Sequence, residues 1–209
     1  MKIDFLSDKP DRAGRYLVRL DNGISIRLYR QTVEDHALFI GKELSEDELT
    51  VLRSDAGQMS AKMRAVRIVS ASSVSKDDLC QRLIRKGEDP LQAQEAVQWM
   101  SDLNLVDDRQ TAEQIVSRCV SRGYGLAKAK QMLYEKRIPK QYWQEVLEDY
   151  PDQTEKILIF LRSRLHANSD ERDRKRAIDA LIRRGHNYAQ IRSAMRLLDF
   201  DEYPEDYYG

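Results

Sequence analysis

A five-residue element recurs three times along this chain, and the recurrence restricts its possible folds more than any other feature. Leu-Ile-Arg-Lys-Gly at 83–87 returns as Leu-Tyr-Glu-Lys-Arg at 133–137 and as Leu-Ile-Arg-Arg-Gly at 181–185. Apolar residues follow at the same offsets in each copy, at Ala93, Ala96 and Val97, at Trp143, Val146 and Leu147, and at Ile191, Ala194 and Met195. Apolar columns that recur at about 50 residues are typical of tandem structural repeats.

The spacing of apolar residues beyond residue 58 predicts helices to the end of the chain. In the first copy we expect one helix over about 60–72, a second from Lys76 to Gly87, and a third from Pro90 to Leu105. The sequence therefore predicts a mainly α fold of three tandem three-helix repeats in an elongated, curved array. The predicted repeats are 58–106, 107–150 and 151–209, the last including an acidic and aromatic tail.

Residues 1–57 are predicted to form a small α+β extension. Strand-like segments flank Asp21-Asn22-Gly23, which predicts a β-hairpin with a type I′ turn, and the segment at 1–6 could add a third strand. Ser45 and Glu48 have the spacing of a capping box, which starts a helix. We expect this helix to end near Ala56-Gly57.

Motifs for catalysis are missing from the sequence. It contains no phosphate-binding glycine loop, and its three histidines and two cysteines are scattered without metal-ligand spacing. The acidic pair Asp107-Asp108 is interpreted as a helix N-cap rather than as a catalytic pair. Without a signal-peptide pattern or a bilayer-spanning apolar run, we expect a cytoplasmic protein with no membrane partner. Since the motifs for catalysis and metal binding are missing, we expect a binding protein with no cofactor and no metal. We also expect the protein to be a monomer.

Basic residues are concentrated in the last third of a chain whose 35 Lys and Arg balance its 35 Asp and Glu. Residues 156–196 contain 11 basic and four acidic residues, and Arg172, Lys175 and Arg176 share one helical face that Arg183 extends. Such a stripe could bind phosphates or acidic side chains, or it could simply be a solvated face. The candidate contact residues are Arg122, Lys128, Lys130, Lys136, Arg137, Arg172, Arg174, Lys175, Arg176, Arg183 and Arg184.

The C-terminal segment 199–208 alternates acidic and aromatic residues. It could fold back onto the basic face, contact a partner or be disordered, and the sequence leaves these alternatives open.

Three motifs, taken in order, resemble those of the bacterial RecX family of regulatory proteins. The first is carried by Ser75, Leu79, Leu83, Lys86 and Gly87, the second by 103–108 and Ala112, and the third by 122–125, Lys128, Leu133, Lys136 and Ile138. The resemblance covers roughly residues 60–196. Arg137 stands where the family usually has glycine, which makes a left-handed helix cap at this position doubtful.

The resemblance implies three tandem three-helix units that bind in the groove of the RecA–DNA filament. It also implies inhibition of the ATPase, strand-exchange and coprotease activities of RecA, in homologous recombination, DNA repair and the SOS response. Two other interpretations remain open. The chain could be a DNA-binding protein that acts alone through helix-turn-helix-like units, or a protein–protein scaffold whose basic stripes only keep it soluble.

Overall fold

The computed structural model describes residues 1–166 and 168–200 of the chain, apart from the side chains of Asp199 and Phe200. Within these residues the chain is mainly helical, with ten α-helices and one small N-terminal sheet. It divides into two compact units, Met1–Val106 and the residues from Asp107 onward. The predicted mainly α fold with a small N-terminal α+β part is therefore confirmed. None of the described helices is long and apolar enough to cross a membrane.

The N-terminal sheet contains three antiparallel strands in the order β1 (Ile3–Leu6), β2 (Arg15–Leu20) and β3 (Ser25–Tyr29). Both the predicted hairpin and the predicted third strand are thus confirmed. The apolar side chains of the sheet share a core with the residues that follow it, comprising Ile3, Val18, Leu20, Leu28, Leu38, Leu44, Leu49 and Leu52.

The hairpin turn differs from the predicted type I′ turn. The Gly23 amide donates to the Leu20 carbonyl over 2.9 Å, and Gly23 has a φ of +85°, whereas Asn22 is not among the described residues with positive φ. A type I′ turn needs positive φ at both central residues. The loop is therefore a three-residue connection in which Gly23 alone takes the left-handed conformation.

Two helices follow the sheet, α1 (Arg30–Asp35) and α2 (Glu46–Ala71). The predicted capping box is present, because the Ser45 side chain accepts from the Glu48 amide and the Glu48 carboxylate accepts from the Ser45 amide. The predicted end near Gly57 is wrong, and the helix expected at 60–72 is the second half of α2. A Cβ at Gly57 would lie 2.4 Å from the Gln92 amide, so this glycine makes room for a packed side chain. The predicted boundary at residue 57 falls inside α2.

The N-terminal unit is completed by α3 (Lys76–Arg85) and α4 (Pro90–Asp102), as the sequence predicts. α4 ends before the expected Leu105, because Asn104 has a φ of +54°. The second half of α2 packs with α3 and α4 around a core of Ala61, Ala65, Ile68, Val74, Leu79, Leu83, Ala93, Ala96, Val97, Met100 and Val106.

The second unit begins with α5 (Asp108–Ser121) and α6 (Leu126–Glu135), which a 3-10 turn (Lys140–Tyr142) connects to α7 (Trp143–Glu148). The Asp107 side chain accepts from the Gln110 amide, which confirms the predicted N-cap. These helices enclose a core of Ala112, Ile115, Cys119, Ala129, Leu133 and Ile138.

Three further helices complete the described chain: α8 (Thr154–Arg162), α9 (Glu171–Arg183) and α10 (Tyr188–Phe200). They surround a second core of Ile157, Leu161, Leu165, Ala177, Leu181, Ile191 and Ala194. The tail from residue 201 onward, to which most of the acidic and aromatic segment belongs, lies outside the described residues.

Left-handed backbone occurs at the fifth position of each recurring element, with φ of +90° at Gly87, +55° at Arg137 and +87° at Gly185. The arginine that replaces glycine in the second copy therefore keeps the left-handed conformation, although a side chain is strained there.

Candidate functional site

The candidate site is built where the C-terminal end of α9 meets the N-terminal end of α6. The Gly125 amide donates to the Arg184 carbonyl over 2.9 Å, and the Ala127 amide donates to the Gly185 carbonyl over 3.3 Å. The first amides of a helix and its last carbonyls lack partners within the helix. At this contact the two helix ends satisfy one another. We call residues 123–128 and 184–186 together the glycine junction.

Glycine is required on both sides of this junction. A Cβ at Gly125 would lie 2.1 Å from the Gly185 carbonyl oxygen, and a Cβ at Gly185 would lie 2.2 Å from the Lys128 amide nitrogen. Both obstacles are backbone atoms, which cannot rotate away as a side chain can. Gly185 also has positive φ, so a substitution there would be strained as well as crowded.

His186 connects the two segments of the glycine junction. Its side chain is buried, and its Nε2 lies 3.0 Å from the Gly123 carbonyl oxygen, so Nε2 carries the proton and donates. Among the described residues, its Nδ1 atom is buried without a hydrogen-bond partner. Burial lowers the pKa of His186, the positive charge of Arg184 lowers it further, and the hydrogen bond to Gly123 opposes both. Burial therefore favours the neutral imidazole at neutral pH.

A tyrosine fixes the other side of the same turn. The Tyr150 hydroxyl donates to the Tyr124 carbonyl over 2.6 Å. Burial raises the pKa of Tyr150 to about 12, with a smaller contribution from Cys119. The hydroxyl therefore stays protonated and keeps donating throughout the neutral range. The turn that carries Arg122-Gly123-Tyr124-Gly125, as the sequence predicts, is thus hydrogen-bonded by a residue that follows α7 as well as by His186.

The predicted basic residues lie at the junction, in the middle of α6 (Lys130), and at the far ends of α9 and α6. Arg183, Arg184, Arg122 and Lys128 are at or beside the junction. The groups at Arg172–Arg176 and at Lys136–Arg137 lie at the far ends of α9 and α6, each about 16 Å away along the helix axis. Most of the predicted side chains are exposed, namely Arg122, Lys130, Arg137, Arg172, Arg174, Lys175, Arg176 and Arg183, whereas Lys128, Lys136 and Arg184 are half-buried.

The basic residues of α9 are placed against the preference of the helix. Arg172 and Arg174 lie in its first turn, where the macrodipole favours negative charge, and Lys175 and Arg176 follow in the second turn. Asp170 caps the helix through the Asp173 amide, and the Asp173 carboxylate lies 3.4 Å from Arg176. Two of these four exposed cations therefore lie in a turn where helix stability alone would favour acidic residues.

Arg184 also stabilises the fold through contacts with aromatic rings. Its guanidinium lies 4.7 Å from the centre of the Phe160 ring and 5.9 Å from that of Tyr124. These cation–π contacts connect the end of α9 to α8 and to the turn before α6. Substituting Arg184 would therefore disturb packing as well as remove a charge.

An open groove runs beside the basic residues of α6. It has a volume of about 420 Å³, and its apolar wall is formed by Leu126, Trp143 and Leu147. Lys130 and Lys140 stand at its edges. The Trp143 indole donates to the Ile138 carbonyl over 3.0 Å, so the polar edge of the ring is already satisfied.

Sequence analysis missed a basic cavity in the N-terminal unit. Its wall contains five cations, Arg15, Arg64, Arg67, Arg82 and Lys86, which β2, α2 and the end of α3 contribute. They are spread over more than 70 positions in the sequence, so no local charge run marks them. Only the packing of the sheet against α2 and α3 brings them together.

The described residues provide no arrangement for metal chemistry. Among them, no group of three or more His, Cys, Asp or Glu side chains could hold a metal ion. Cys80 in α3 is half-buried and Cys119 in α5 is buried, and burial raises the pKa of both thiols. Neither thiol is therefore activated as a nucleophile.

Comparison with known proteins adds independent information. No protein-family model matches the chain. It is 25% identical over 209 residues to "Regulatory protein RecX" of Clostridioides difficile (strain 630), which covers 97% of each protein. It is also 29% identical over 154 residues to "Regulatory protein RecX" of Halorhodospira halophila, which covers 71% of this chain and 96% of that protein.

The resemblance to RecX is confirmed. Solved structures show the same fold. "Crystal structure of regulatory protein RecX" superposes with a TM-score of 0.62 at 18% identity, covering 93% of this chain and 98% of the other. RecX from Lactobacillus salivarius superposes with a TM-score of 0.59 at 19% identity, covering 69% of this chain and 97% of the other. RecX relatives therefore match both the sequence and the fold of this protein.

Proposed function

We propose that this protein is a regulator of RecA that binds the RecA–DNA filament and mostly inhibits its activities. The observation that carries the proposal is the similarity, over 97% of both chains, to a protein named regulatory protein RecX. The activities affected would be ATP hydrolysis, strand exchange and coprotease function, in recombination, DNA repair and the SOS response. The protein would act as a cytoplasmic monomer, without catalysis of its own.

The electrostatic part of this binding would come from the basic residues of α6 and α9. Most of them are exposed, and two of them, Arg172 and Arg174, occupy a first helical turn that disfavours cations. A filament presents both phosphates and acidic side chains, and guanidinium groups bind either one through paired hydrogen bonds. Contacts spread over two helices would raise affinity through effective concentration rather than through one deep pocket.

The three-helix groups α2–α4, α5–α7 and α8–α10 would be the units of a tandem repeat. The left-handed residues Gly87, Arg137 and Gly185 support this proposal, because each follows the second helix of its group. Residues 1–57 would be an extension, with α2 running from it into the first repeat at 58–106, and 107–150 and 151–209 would be the other two repeats. The elongated, curved form of the array stays a prediction.

The test is the rate of ATP hydrolysis by RecA on single-stranded DNA, measured while this protein is titrated in. We expect turnover to fall as the protein approaches the concentration of RecA. Unchanged turnover in the presence of a molar excess would contradict the proposal.

The concentration of basic residues also favours a second candidate, a protein that binds DNA without RecA. Such a protein should bind duplex DNA alone, and its affinity should fall steeply with salt because phosphate contacts release counterions. A regulator should instead bind the filament more tightly than either DNA or RecA alone. Measuring all three affinities at two salt concentrations separates these candidates, and a scaffold would bind RecA with little dependence on salt.

A further inference from the structure

The N-terminal unit contains a cavity that is unusually rich in positive charge. It has a volume of about 440 Å³ and lies against the ends of the sheet, the second half of α2 and the end of α3. Five of the residues that line it are Arg or Lys, and none is Asp or Glu. The rest of the lining is largely uncharged and includes Tyr29, Ile68 and Ala71.

Carboxylates from outside the lining neutralise three of the five cations. The pairs are Asp11 with Arg15 at 2.9 Å, Glu88 with Arg64 at 2.5 Å, and Asp78 with Arg82 at 2.9 Å. Arg67 and Lys86 form no ion pair with a carboxylate in the described part of the chain. The cavity therefore carries an excess of about two positive charges, which would balance the two negative charges of one phosphate monoester.

Two of the arginines, Arg64 and Arg67, also donate to neutral acceptors. The Arg67 guanidinium donates to the Ala13 carbonyl over 2.7 Å and to the Tyr29 hydroxyl over 3.0 Å. Arg64 donates to the Lys86 carbonyl over 3.0 Å. Each guanidinium has five N–H donors, so donors remain for a ligand. A binding group that is already positioned loses less conformational entropy when it binds.

We propose that this cavity binds a nucleotide, with its phosphate on Arg67 and Lys86. Guanidinium groups match the geometry of phosphate oxygens, and the volume lies in the range of small-molecule sites. The cavity is larger than a phosphate alone requires, and Ile68 and Ala71 offer apolar surface to the sugar or base. The nucleotide can be free or part of a nucleic acid strand, since both present the same group. This site is separate from the basic surface of α6 and α9 and does not depend on RecA.

The test uses the full chain and three probes: a nucleoside triphosphate, a single-stranded oligonucleotide and inorganic phosphate. Calorimetry measures the affinities, and ¹⁵N spectra of the arginine Nε–H groups report which guanidinium groups are contacted. We expect a nucleotide probe to shift the resonances of Arg64 and Arg67. Binding of the triphosphate alone would show that the ligand is a free nucleotide, and binding of the oligonucleotide alone would show that it is a nucleic acid strand.

Lys86→Gln is the discriminating variant. Lys86 is exposed and its side chain forms no ion pair in the described residues, so the substitution should leave folding intact. We expect it to weaken binding of the nucleotide probe about tenfold, the effect of losing one charge-assisted hydrogen bond. Lys9→Gln removes an exposed lysine of the same unit outside the cavity, and it should leave the affinity unchanged.

Four results would overturn the proposal. They are the failure of both nucleotide probes to bind, equal losses of affinity in the two lysine variants, inorganic phosphate binding as tightly as the nucleotide probe that binds, and an acidic peptide binding with the same dependence on Lys86.

Discussion

Replacing Gly125 with alanine isolates the contribution of the glycine junction to stability. Gly125 has a φ of −78° and a ψ of 166°, which any residue adopts, so the substitution adds no backbone strain of its own. Its whole effect comes from a Cβ placed 2.1 Å from the Gly185 carbonyl oxygen and 2.5 Å from the His186 amide nitrogen. The helix ends must move apart to accommodate it.

The magnitude follows from what that movement removes. Overpacking at a close contact costs about 1–3 kcal/mol. The two backbone hydrogen bonds across the junction contribute about 1 kcal/mol each when they are lost. Because separating the helices relieves the crowding at the expense of the bonds, we expect the free energy of unfolding of the second unit to fall by about 3 kcal/mol.

Trp143 reports this unit directly. The chain has two tryptophans, so in a Trp99→Phe background the urea transition of the fluorescence follows α7 alone. Native-state hydrogen exchange of the α6 and α9 amides gives a second measurement. Gly87→Ala is the comparison, because its Cβ meets nothing within 4 Å and only its φ of +90° is strained. We expect Gly87→Ala to lower the free energy of unfolding by about 1 kcal/mol, measured by hydrogen exchange of the α3 amides. A Gly125→Ala effect below about 1 kcal/mol would refute the reasoning.

Two other predictions concern single residues of the second unit. Because the pKa of His186 is lowered below its usual 6.5, the unfolded chain takes up a proton at higher pH than the folded chain does. Stability should be full above about pH 6.5 and fall as the pH drops toward the lower folded-state pKa. His186→Gln, which keeps a donor for Gly123, should flatten this acid-side dependence in urea titrations, and an unchanged slope would contradict the assignment. Arg137→Gly should raise the free energy of unfolding by about 1 kcal/mol, because it relieves left-handed strain at a φ of +55°. A loss of stability in thermal unfolding would show instead that contacts of the arginine outweigh the strain.

Local sequence signals predicted the elements that depend on neighbouring residues. The Ser45 capping box, Pro90 in the first turn of α4 and the Asp107 cap all appear where the sequence places them. The two caps are contacts between residues three positions apart, and the place of Pro90 depends on that residue alone, so the local sequence contains all the information needed to find them.

Two glycines show what local signals miss, because their role depends on distant residues. Gly57 was expected to end a helix, yet it lies inside α2, where Gln92 packs against it. Gly125 was placed correctly in a turn, but its contact with Gly185 joins positions 60 residues apart. Nothing in the local sequence distinguishes a glycine that ends a helix from one that admits a neighbour.

Of the candidate site, the sequence predicts only the basic residues that lie close together along the chain. The basic residues of α9 form such a group, and all of those at 172–176 that were predicted are exposed. The basic cavity of the N-terminal unit could not be found this way, because Arg15, Arg67 and Lys86 come from different elements and meet only after folding.

The most direct test of the account is the charge reversal of α9. Replacing Arg172 with glutamate puts negative charge in the first turn of α9, which the macrodipole favours by about 0.3–1 kcal/mol. Lys175 and Arg176 are exposed in the second turn, so replacing them should change the stability little. Urea unfolding of the variant checks that it folds like the parent, and a loss of binding is then electrostatic rather than structural. Reversing the exposed Lys9, Arg12 and Arg53 of the first unit gives a control with the same net charge.

The measurement is the inhibition of RecA ATP hydrolysis on single-stranded DNA by the parent and by both variants. The account predicts that the α9 variant requires at least a tenfold higher concentration for the same inhibition, while the control variant stays close to the parent. Equal inhibition by the α9 variant and the parent would contradict the central claim that these cations bind the filament.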